Sequence, residues 1–278
     1  MKKLFDDLSE RFSEITTKTY STSFSLGIKM LDRKFHKPIY NIYGFVRFAD
    51  EIVDSFQDYN RKELIEKFRT DTLSAIQQKI SLNPILNSFQ HTVYAYDIEW
   101  ELIDSFLKSM EMDLEQQKYS EELYNQYIFG SAEVVGLMCL RVFSEKNKDL
   151  YDELKPYAQR LGAAFQKVNF LRDINADYKI LGRTYFPGVD FEHFSDINKE
   201  QIEKDIENDF NEALVGIKKL PIGSRRGVYL AYYYYKKLHK KIKNTGHKDI
   251  ATTRIRIPDM DKFGLMFKSL LRHQFNYL

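Results

Sequence analysis

The chain has 278 residues, including 21 Phe, 19 Tyr and one Trp, but only 12 Gly and 6 Pro. So few turn-forming residues exclude a many-stranded β-sandwich or barrel, which needs a turn about every ten residues. The net charge of +2 argues against nucleic acid as a partner, and the single cysteine, Cys139, excludes an internal disulfide. A single cysteine is also consistent with a reducing cytosol.

Apolar residues recur every three to five positions along nearly the whole chain, which predicts amphipathic helices. Asn60 and Asn83 are predicted N-caps, because a glutamate follows the first after three residues and a proline follows the second directly. Asn198, with a glutamine three residues later, is predicted to begin another helix. The breaks between helices are short and polar, so we expect one all-α domain over residues 1–278. The predicted helices cover residues 3–19, 38–55, 61–79, 84–95, 99–117, 121–145, 148–178, 197–219, 223–244 and 259–275.

The sequence predicts neither a signal peptide nor a membrane span. The N-terminus turns acidic at Asp6 before any apolar core begins. The longest apolar stretch, Val134 to Leu140, is far shorter than the roughly 20 residues of a spanning helix. The basic run over residues 236–243 is interpreted as a solvated helix face. We therefore expect a cytoplasmic protein, with peripheral membrane contact and oligomeric state left open.

The predicted helix 38–55 carries a polar stripe among apolar residues. Its members are Tyr43, Arg47, Asp50 and Asp54. They follow one another at intervals of three or four residues, so helical geometry puts them on one face. A helix that is apolar on most sides is buried. Burying two neighbouring carboxylates is costly unless a cation lies between them, and the stripe therefore predicts a cation site.

A second stripe of this kind lies in the predicted helix 148–178. Its members are Gln166, Asn169, Asp173 and Asp177. Carboxylates without His or Cys select oxygen-preferring cations such as Mg²⁺ or Mn²⁺, and the six His residues lack the spacings of iron or zinc sites. Mg²⁺ is often bound by one or two carboxylates while phosphate oxygens complete its shell. Two such helices predict a clamp that binds diphosphates through Mg²⁺.

Five separated parts of the chain, in order, resemble the squalene/phytoene synthase family. Each aspartate stripe, with its flanking residues, is similar to one of the two signature motifs of that family. The likeness extends from about residue 16 to about residue 270. The segments that carry it are Tyr20 to Ser25 with Ile42 to Asp54, Ser109 to Asp113, Gly130 to Met138, Gln166 to Asp177 with Gly182 to Pro187, and Arg254 to Pro258.

The resemblance implies an isoprenoid-synthase-type helical fold around a central cavity. In that family two allylic diphosphates are joined head to head. One ionises with the help of Mg²⁺, the double bond of the other attacks the cation, and a cyclopropylcarbinyl diphosphate forms and rearranges. Proton loss gives phytoene or dehydrosqualene, whereas hydride from NADPH gives squalene. We expect phytoene from two geranylgeranyl diphosphates; the alternative is squalene or dehydrosqualene from two farnesyl diphosphates, with NADPH needed only for squalene.

By motif match the resemblance also implies roles for individual residues. The implied Mg²⁺ ligands are Asp50, Asp54, Asn169, Asp173 and Asp177, and the four aspartates are also counted as catalytic together with Tyr43 and Tyr127. Arginines 47, 183 and 254 would contact diphosphate, although Arg256 could replace Arg254. The implied substrate-binding residues are Ser21, Ser23, Phe24, Tyr43, Arg47, Gln166, Asn169, Arg183, Tyr185, Tyr234 and Arg254. Tyr234 lies among four consecutive tyrosines, so its register is ambiguous.

The first motif departs from the family in one respect. Many members have an Asp-Asp-x-x-Asp form, whereas Glu51 here follows Asp50 and is a secondary candidate for assisting the metal.

Two other classes of function stay open. A chain-elongating prenyl transferase or terpene cyclase would share the fold, but their usual metal motifs are missing. A non-catalytic assembly factor is disfavoured because all four aspartates are present.

Overall fold

A computed structural model of the chain describes residues 1–114, 119–179, 183–189, 194–250 and 255, without the side chains of residues 176, 177, 179, 248 and 249. Four sequence predictions lie outside the described residues. They concern the helix 259–275, Arg254, Arg256 and the side chain of Asp177.

The regular elements in these ranges are α-helices and one π-helical turn, as the all-α prediction requires. The turn, Phe129–Glu133, joins α7 to α8. The helices are α1 (Lys2–Tyr20), α2 (Thr22–Lys29), α3 (Arg33–Ser55), α4 (Arg61–Gln78), α5 (Pro84–Tyr96), α6 (Trp100–Met112), α7 (Glu121–Ile128), α8 (Val134–Ser144), α9 (Lys148–Lys179), α10 (Asp196–Lys219), α11 (Ile222–Lys243) and α12 (His247–Ile250).

Two predicted helix starts are confirmed by capping hydrogen bonds. The Asn60 side chain accepts from the backbone N–H three residues later at 3.3 Å, and Asn83 accepts from the N–H two residues later at 3.0 Å. The third prediction is wrong, because Ser195 rather than Asn198 is the N-cap of α10. The Ser195 hydroxyl accepts from the N–H of Asn198, whose side chain accepts from the N–H of Ser195. Asn198 is therefore the third residue of a capping box.

Several elements differ from the predicted ones: the short helix α12 was not predicted, α6 ends at Met112 rather than at residue 117, and three further differences bear on the site. Helix α2 was not predicted, because a helix of eight residues is too short to give a clear periodic signal. Helix α3 begins at Arg33, five residues before the predicted start, and has Pro38 in its second turn. The predicted helix 121–145 is interrupted by the π-helical turn, and two residues of that turn, Ser131 and Ala132, line a central cavity. Such wide turns inside helices are frequent at functional sites.

Two buried apolar clusters hold the helices together. The first lies mainly among α3 to α8, where the rings of Phe45 and Phe89 stack 4.0 Å apart. The second lies among α7 and α9 to α11, where Phe170 and Tyr185 stack at the same distance. Residues from both clusters line the central cavity. The predicted helical fold around a cavity is confirmed.

The wall of the cavity depends on a close crossing between α9 and the segment before it. Gly162 of α9 lies against the backbone of Ala132, and a Cβ atom on Gly162 would stand 2.6 Å from the Ala132 carbonyl oxygen. Gly136 of α8 similarly faces the carbonyl oxygen of Ala158 of α9. Because packed atoms do not approach so closely, glycine is required at Gly162 for this crossing.

One described stretch, Glu121–Ser144, is long and apolar enough to cross a membrane by length and composition alone. It is longer than the apolar run considered in the sequence, because it includes α7 and the π-helical turn. Its most apolar window is 61% buried inside the protein. Core helices pass the same test, so the stretch is weak evidence for a span.

Candidate active site

A cavity of about 310 Å³ extends along α9, and its two ends differ in chemistry. We call the polar end the mouth: Tyr43, Gln166 and Asn169 line the cavity there, and the aspartates of the two stripes follow further along α3 and α9. The opposite end, the floor, consists of Leu31, Phe143, Leu154 and Leu220. Along α9, Leu154 lies fifteen residues before Asn169, which corresponds to about 22 Å of helix.

The space between mouth and floor is bounded by apolar residues, some large and some small. Nine lining residues are glycine or alanine, including Gly27 of α2 and Ala231 of α11. At these nine positions the helix backbone itself comes close to the cavity, between larger apolar and aromatic side chains. A narrow, apolar space of this volume suits a hydrocarbon chain, since ligand pockets usually begin at about 300 Å³.

Aromatic rings surround the cavity just inside the mouth. Phe24 lies 5.6 Å from Tyr43, and Phe165 stacks 4.0 Å from Tyr235, between ring centroids. The Tyr235 hydroxyl donates to the Asn169 side-chain oxygen at 3.3 Å. The structure thus brings Tyr235 into the cavity wall where the sequence pointed to Tyr234. Burial raises the pKa of Tyr43 to about 12, so that phenol stays protonated at neutral pH.

The start of α2 contributes hydroxyl groups beside the mouth. Ser21 is the N-cap of this helix and accepts from the N–H of Phe24 at 3.2 Å. Ser21 also interacts with the phenol of Tyr43. Ser23 lies partly buried in the first turn of α2. Three predicted substrate-binding residues, two serines and Phe24, are therefore brought together by a helix that the sequence did not predict.

Arg47 pairs with two of the acidic residues of α3. Its guanidinium donates to both Asp50 and Glu51 and lies 4.3 Å from the ring centroid of Tyr20. Its buried Nε has no hydrogen-bond partner in the described part of the chain. Glu51 is consequently held by Arg47, beside the stripe rather than on it.

Asp50 resists ionisation in this position. Protein atoms crowd its carboxylate although 36% of the side chain is exposed to the cleft. Desolvation raises the pKa of Asp50 above the usual carboxyl range, and the neighbouring Asp54 raises it further, while Arg47 offsets only part of this. Two crowded carboxylates on adjacent turns therefore favour a bound cation.

Asp54 belongs to a network that the sequence analysis missed. The Arg183 guanidinium donates to the Asp54 carboxylate at 2.8 Å and to the backbone oxygen of Asp113 at 2.8 Å. The buried Asp113 carboxylate accepts from the hydroxyls of Tyr127 and Tyr185. Neither tyrosine lines the cavity; both lie behind Asp54. Burial raises the pKa of Asp113 to about 6, despite Arg183 and the phenols.

A signal for Asp113 does exist in the sequence. Helix α6 buries Ile103, Phe106 and Met110 on one face, and Asp113 follows three residues later on that face. A carboxylate that continues an apolar stripe needs buried partners. This position lies in one of the segments that carry the family resemblance, but no role was predicted for it.

The second stripe is arranged differently. Gln166 and Asn169 line the cavity, and Asp173 stands one turn beyond Asn169. The adjacent Arg172 donates to Asp173, with its Nε 3.1 Å from both carboxylate oxygens. Arg172 directly precedes Asp173 and is therefore about 100° away around the helix axis, yet its long side chain folds back to pair with Asp173.

The oxygen donors at the mouth fit a divalent cation that is bound together with a diphosphate. Among the side chains that the structure describes, no three carboxylate, His or Cys groups converge to hold a metal alone. Asp50 and Asp54 nevertheless provide two adjacent carboxylates that repel each other. Mg²⁺ is commonly held by so few carboxylates when phosphate oxygens complete its shell.

Comparison with known proteins decides the family. The sequence profile of the squalene/phytoene synthase family matches residues 17–261, which include both stripes and the cavity. The chain belongs to the squalene/phytoene synthase family. This is a family of prenyltransferases that condense prenyl diphosphates head to head, so the resemblance inferred from the motifs is confirmed.

Relatives within the family carry several names. The 15-cis-phytoene synthase of Pantoea ananas is 25% identical in an alignment of 254 positions that covers 82% of this chain and 80% of that protein. The 4,4'-diapophytoene synthase of Staphylococcus haemolyticus is 26% identical over 193 residues, or 68% of this chain. That match spans 65% of the staphylococcal protein, less than two thirds of its length. A solved dehydrosqualene synthase in complex with a ligand shares the fold, with a TM-score of 0.83, 20% identity, and coverage of 97% of this chain and 98% of that one.

Proposed function

We propose that this chain joins two prenyl diphosphates head to head with Mg²⁺, or Mn²⁺ in its place, and that its main reaction converts two geranylgeranyl diphosphates to phytoene. The observation that carries the proposal is the union of two chemistries in one site. Carboxylates and guanidiniums surround the mouth, while the cavity below is apolar and aromatic. A substrate with a diphosphate head and a long hydrocarbon tail matches both parts.

The charged residues would bind the two diphosphate heads. Asp50, Asp54 and Asp173, with Asp177 and Asn169 by motif match, would hold the cation. When bound, Mg²⁺ neutralises the diphosphate and makes it a better leaving group. Arg47 and Arg183 would donate to diphosphate oxygens, because guanidinium forks suit such oxygens. Binding would require Arg47 to exchange at least one of its carboxylate partners for the substrate.

The cavity would protect the allylic cation that forms when the first diphosphate leaves. The rings of Phe24, Tyr43 and Tyr235 lie just inside the mouth, and aromatic faces attract cations. The apolar wall excludes water, which would otherwise quench the cation. The double bond of the second substrate then attacks the cation, and loss of a proton closes the cyclopropane ring.

The choice of C20 substrates is supported by the depth of the cavity and by the phytoene synthase relative. About 22 Å of α9 separates the mouth from the floor, which leaves room for a long tail. The alternative uses two farnesyl diphosphates and gives dehydrosqualene, or squalene if NADPH supplies hydride. Because the product would be a hydrocarbon, peripheral membrane contact at product release stays part of the proposal.

Diphosphate release tests the proposal. The purified chain is incubated with farnesyl or geranylgeranyl diphosphate, with Mg²⁺, with Mn²⁺, or with excess EDTA. We expect release that depends on the cation and is faster with geranylgeranyl diphosphate. If diphosphate is released from neither substrate, the enzymatic proposal is contradicted. Faster release with farnesyl diphosphate would contradict only the choice of chain length.

A further inference from the structure

Asp113, at the end of α6, is the point where three side chains from other parts of the chain meet. Its side chain is only 4% exposed. The Tyr127 hydroxyl donates to Oδ2 at 2.6 Å, and the Tyr185 hydroxyl donates to Oδ1 at 3.1 Å. Arg183 Nε lies 3.8 Å from Oδ1. One buried carboxylate therefore ties α7 and the segment 183–189 to the end of α6.

Arg183 extends this link to the mouth. Its Nη1 donates to Asp54 Oδ1 at 2.8 Å and its Nη2 donates to the Asp113 carbonyl oxygen at 2.8 Å. The planar guanidinium is therefore held at two separate points, which fixes its orientation. Arg183 is itself nearly buried, whereas 37% of the Asp54 side chain is exposed. The fixed arginine thus presents a single N–H edge to the exposed carboxylate.

The charges explain why the network needs Asp113. A buried guanidinium beside Asp54 alone would neutralise that carboxylate and compete with a cation for it. With Asp113 on its other side, the positive charge of Arg183 is shared between two carboxylates, and Asp54 keeps more of its attraction for a cation. Removing one partner from such a buried set leaves another charge uncompensated.

We propose that Asp113 is a positioning residue of the active site. Its carboxylate orients Arg183, Tyr127 and Tyr185, and through Arg183 it leaves Asp54 available to a divalent cation. The role rests on the proposed function, but it predicts a property of the substrate-free protein. Asp113 itself neither lines the cavity nor touches the substrate space.

The test replaces Asp113 with the isosteric asparagine and measures Mn²⁺ binding by electron paramagnetic resonance, without substrate. For D113N we expect Mn²⁺ binding about five- to tenfold weaker than wild type, and kcat for diphosphate release lowered at least tenfold. The matched control is D104N. Asp104 lies on the same helix and pairs with Arg69 and Lys108, so its loss should leave both measurements near wild type.

A double variant separates positioning from general stability. R183K keeps the positive charge but cannot span Asp54 and Asp113, so R183K alone should weaken Mn²⁺ binding. If Asp113 acts through Arg183, the double variant D113N/R183K should bind Mn²⁺ no more weakly than the single variant with the lower Mn²⁺ affinity. R183K also tests the link should D113N fail to fold.

Two results would overturn the proposal. One is unchanged Mn²⁺ binding in folded D113N, even if its melting temperature is lower, or, should D113N fail to fold, unchanged Mn²⁺ binding in R183K. The other is a double variant in which the two fold losses of Mn²⁺ affinity multiply, because that would show that the two residues act independently. Failure of wild type to release diphosphate would reject the proposed function alone, because Mn²⁺ binding still decides the role of Asp113.

Discussion

The mouth and the floor of the cavity use opposite means to act on the same molecule. At the mouth, charged groups are held by fixed partners: Arg47 pairs with Asp50 and Glu51, and Arg183 joins Asp54 to Asp113. At the floor, leucine and phenylalanine side chains from four separate parts of the chain only fill space. From this difference we propose that the mouth serves the chemistry and the floor serves the choice of substrate. Changes at the mouth should affect rate, whereas changes at the floor should affect which tail is accepted.

The largest effect is expected at the mouth. D54A should lower turnover by about 10³-fold or more, because it removes a carboxylate that we propose holds the cation at the leaving group. The fold should persist, since Arg183 keeps its contacts with Asp113. Steady-state diphosphate release and circular dichroism measure the two effects. D58A, at an exposed aspartate just beyond α3, should match wild type, and turnover within tenfold of wild type in D54A would refute the metal assignment.

The floor should respond through specificity. L154F adds volume at the far end of the cavity and should lower kcat/KM for the C20 substrate relative to the C15 substrate by about 10- to 100-fold, as expected when a tail no longer fits a pocket. L154A should shift the ratio the other way. Competition between the two diphosphates measures this ratio. If both variants lowered turnover but left the ratio of kcat/KM for the two substrates unchanged, the floor would not determine which tail length is accepted.

The wall between mouth and floor should respond through stability. In G162A the new Cβ would stand 2.6 Å from the Ala132 carbonyl oxygen, and separating this crossing should cost about 1–3 kcal/mol of unfolding free energy. G27A is the matched control on α2, because its Cβ would meet its nearest neighbour at an ordinary 3.5 Å. Denaturant unfolding compares the two. Equal stability of G162A and G27A would show that the crossing tolerates expansion.

The smallest effect concerns the metal-free mouth. The pKa of Asp50 is raised in the folded protein, so the folded state binds this proton more tightly than the unfolded state. Acidification from about pH 7 toward pH 4 should therefore increase the free energy of unfolding through this residue. On acidification, the free energy of unfolding of wild type should rise by about 1 kcal/mol more than that of D50N. The gain is small because solvent in the open cleft screens part of the repulsion. Thermal unfolding in EDTA at several pH values measures the difference. Parallel pH profiles of wild type and D50N would contradict it.

The sequence predicted the mouth better than the floor for a physical reason. The stripes on α3 and α9 each lie within one helix, where spacing alone puts residues on a common face. The floor combines Leu31, Phe143, Leu154 and Leu220, which share no spacing and meet only after folding. The apolar stripe of α6 does mark Asp113, but its role depends on partners from distant segments that meet only after folding.

Local register set a second limit. Four consecutive tyrosines contain no apolar period, so only the packing of α11 decides that Tyr235 rather than Tyr234 reaches Asn169. The π-helical turn at Phe129–Glu133 likewise changes the register between α7 and α8 without a signal in apolar spacing. Caps that depend on one residue and its near neighbours, such as Asn60 and Asn83, were predictable.

The most direct test of the central claim is the stoichiometry and mass of the product. The purified chain is given geranylgeranyl diphosphate with Mg²⁺, with and without NADPH, and released diphosphate is counted against product determined by mass spectrometry. The account predicts two diphosphates released per molecule of a hydrocarbon with twice the carbon number of the substrate, independent of NADPH. A product with the carbon skeleton of a single substrate would contradict head-to-head condensation. A cyclopropylcarbinyl diphosphate with twice the carbon number, and one diphosphate released, would contradict only the second half of the reaction.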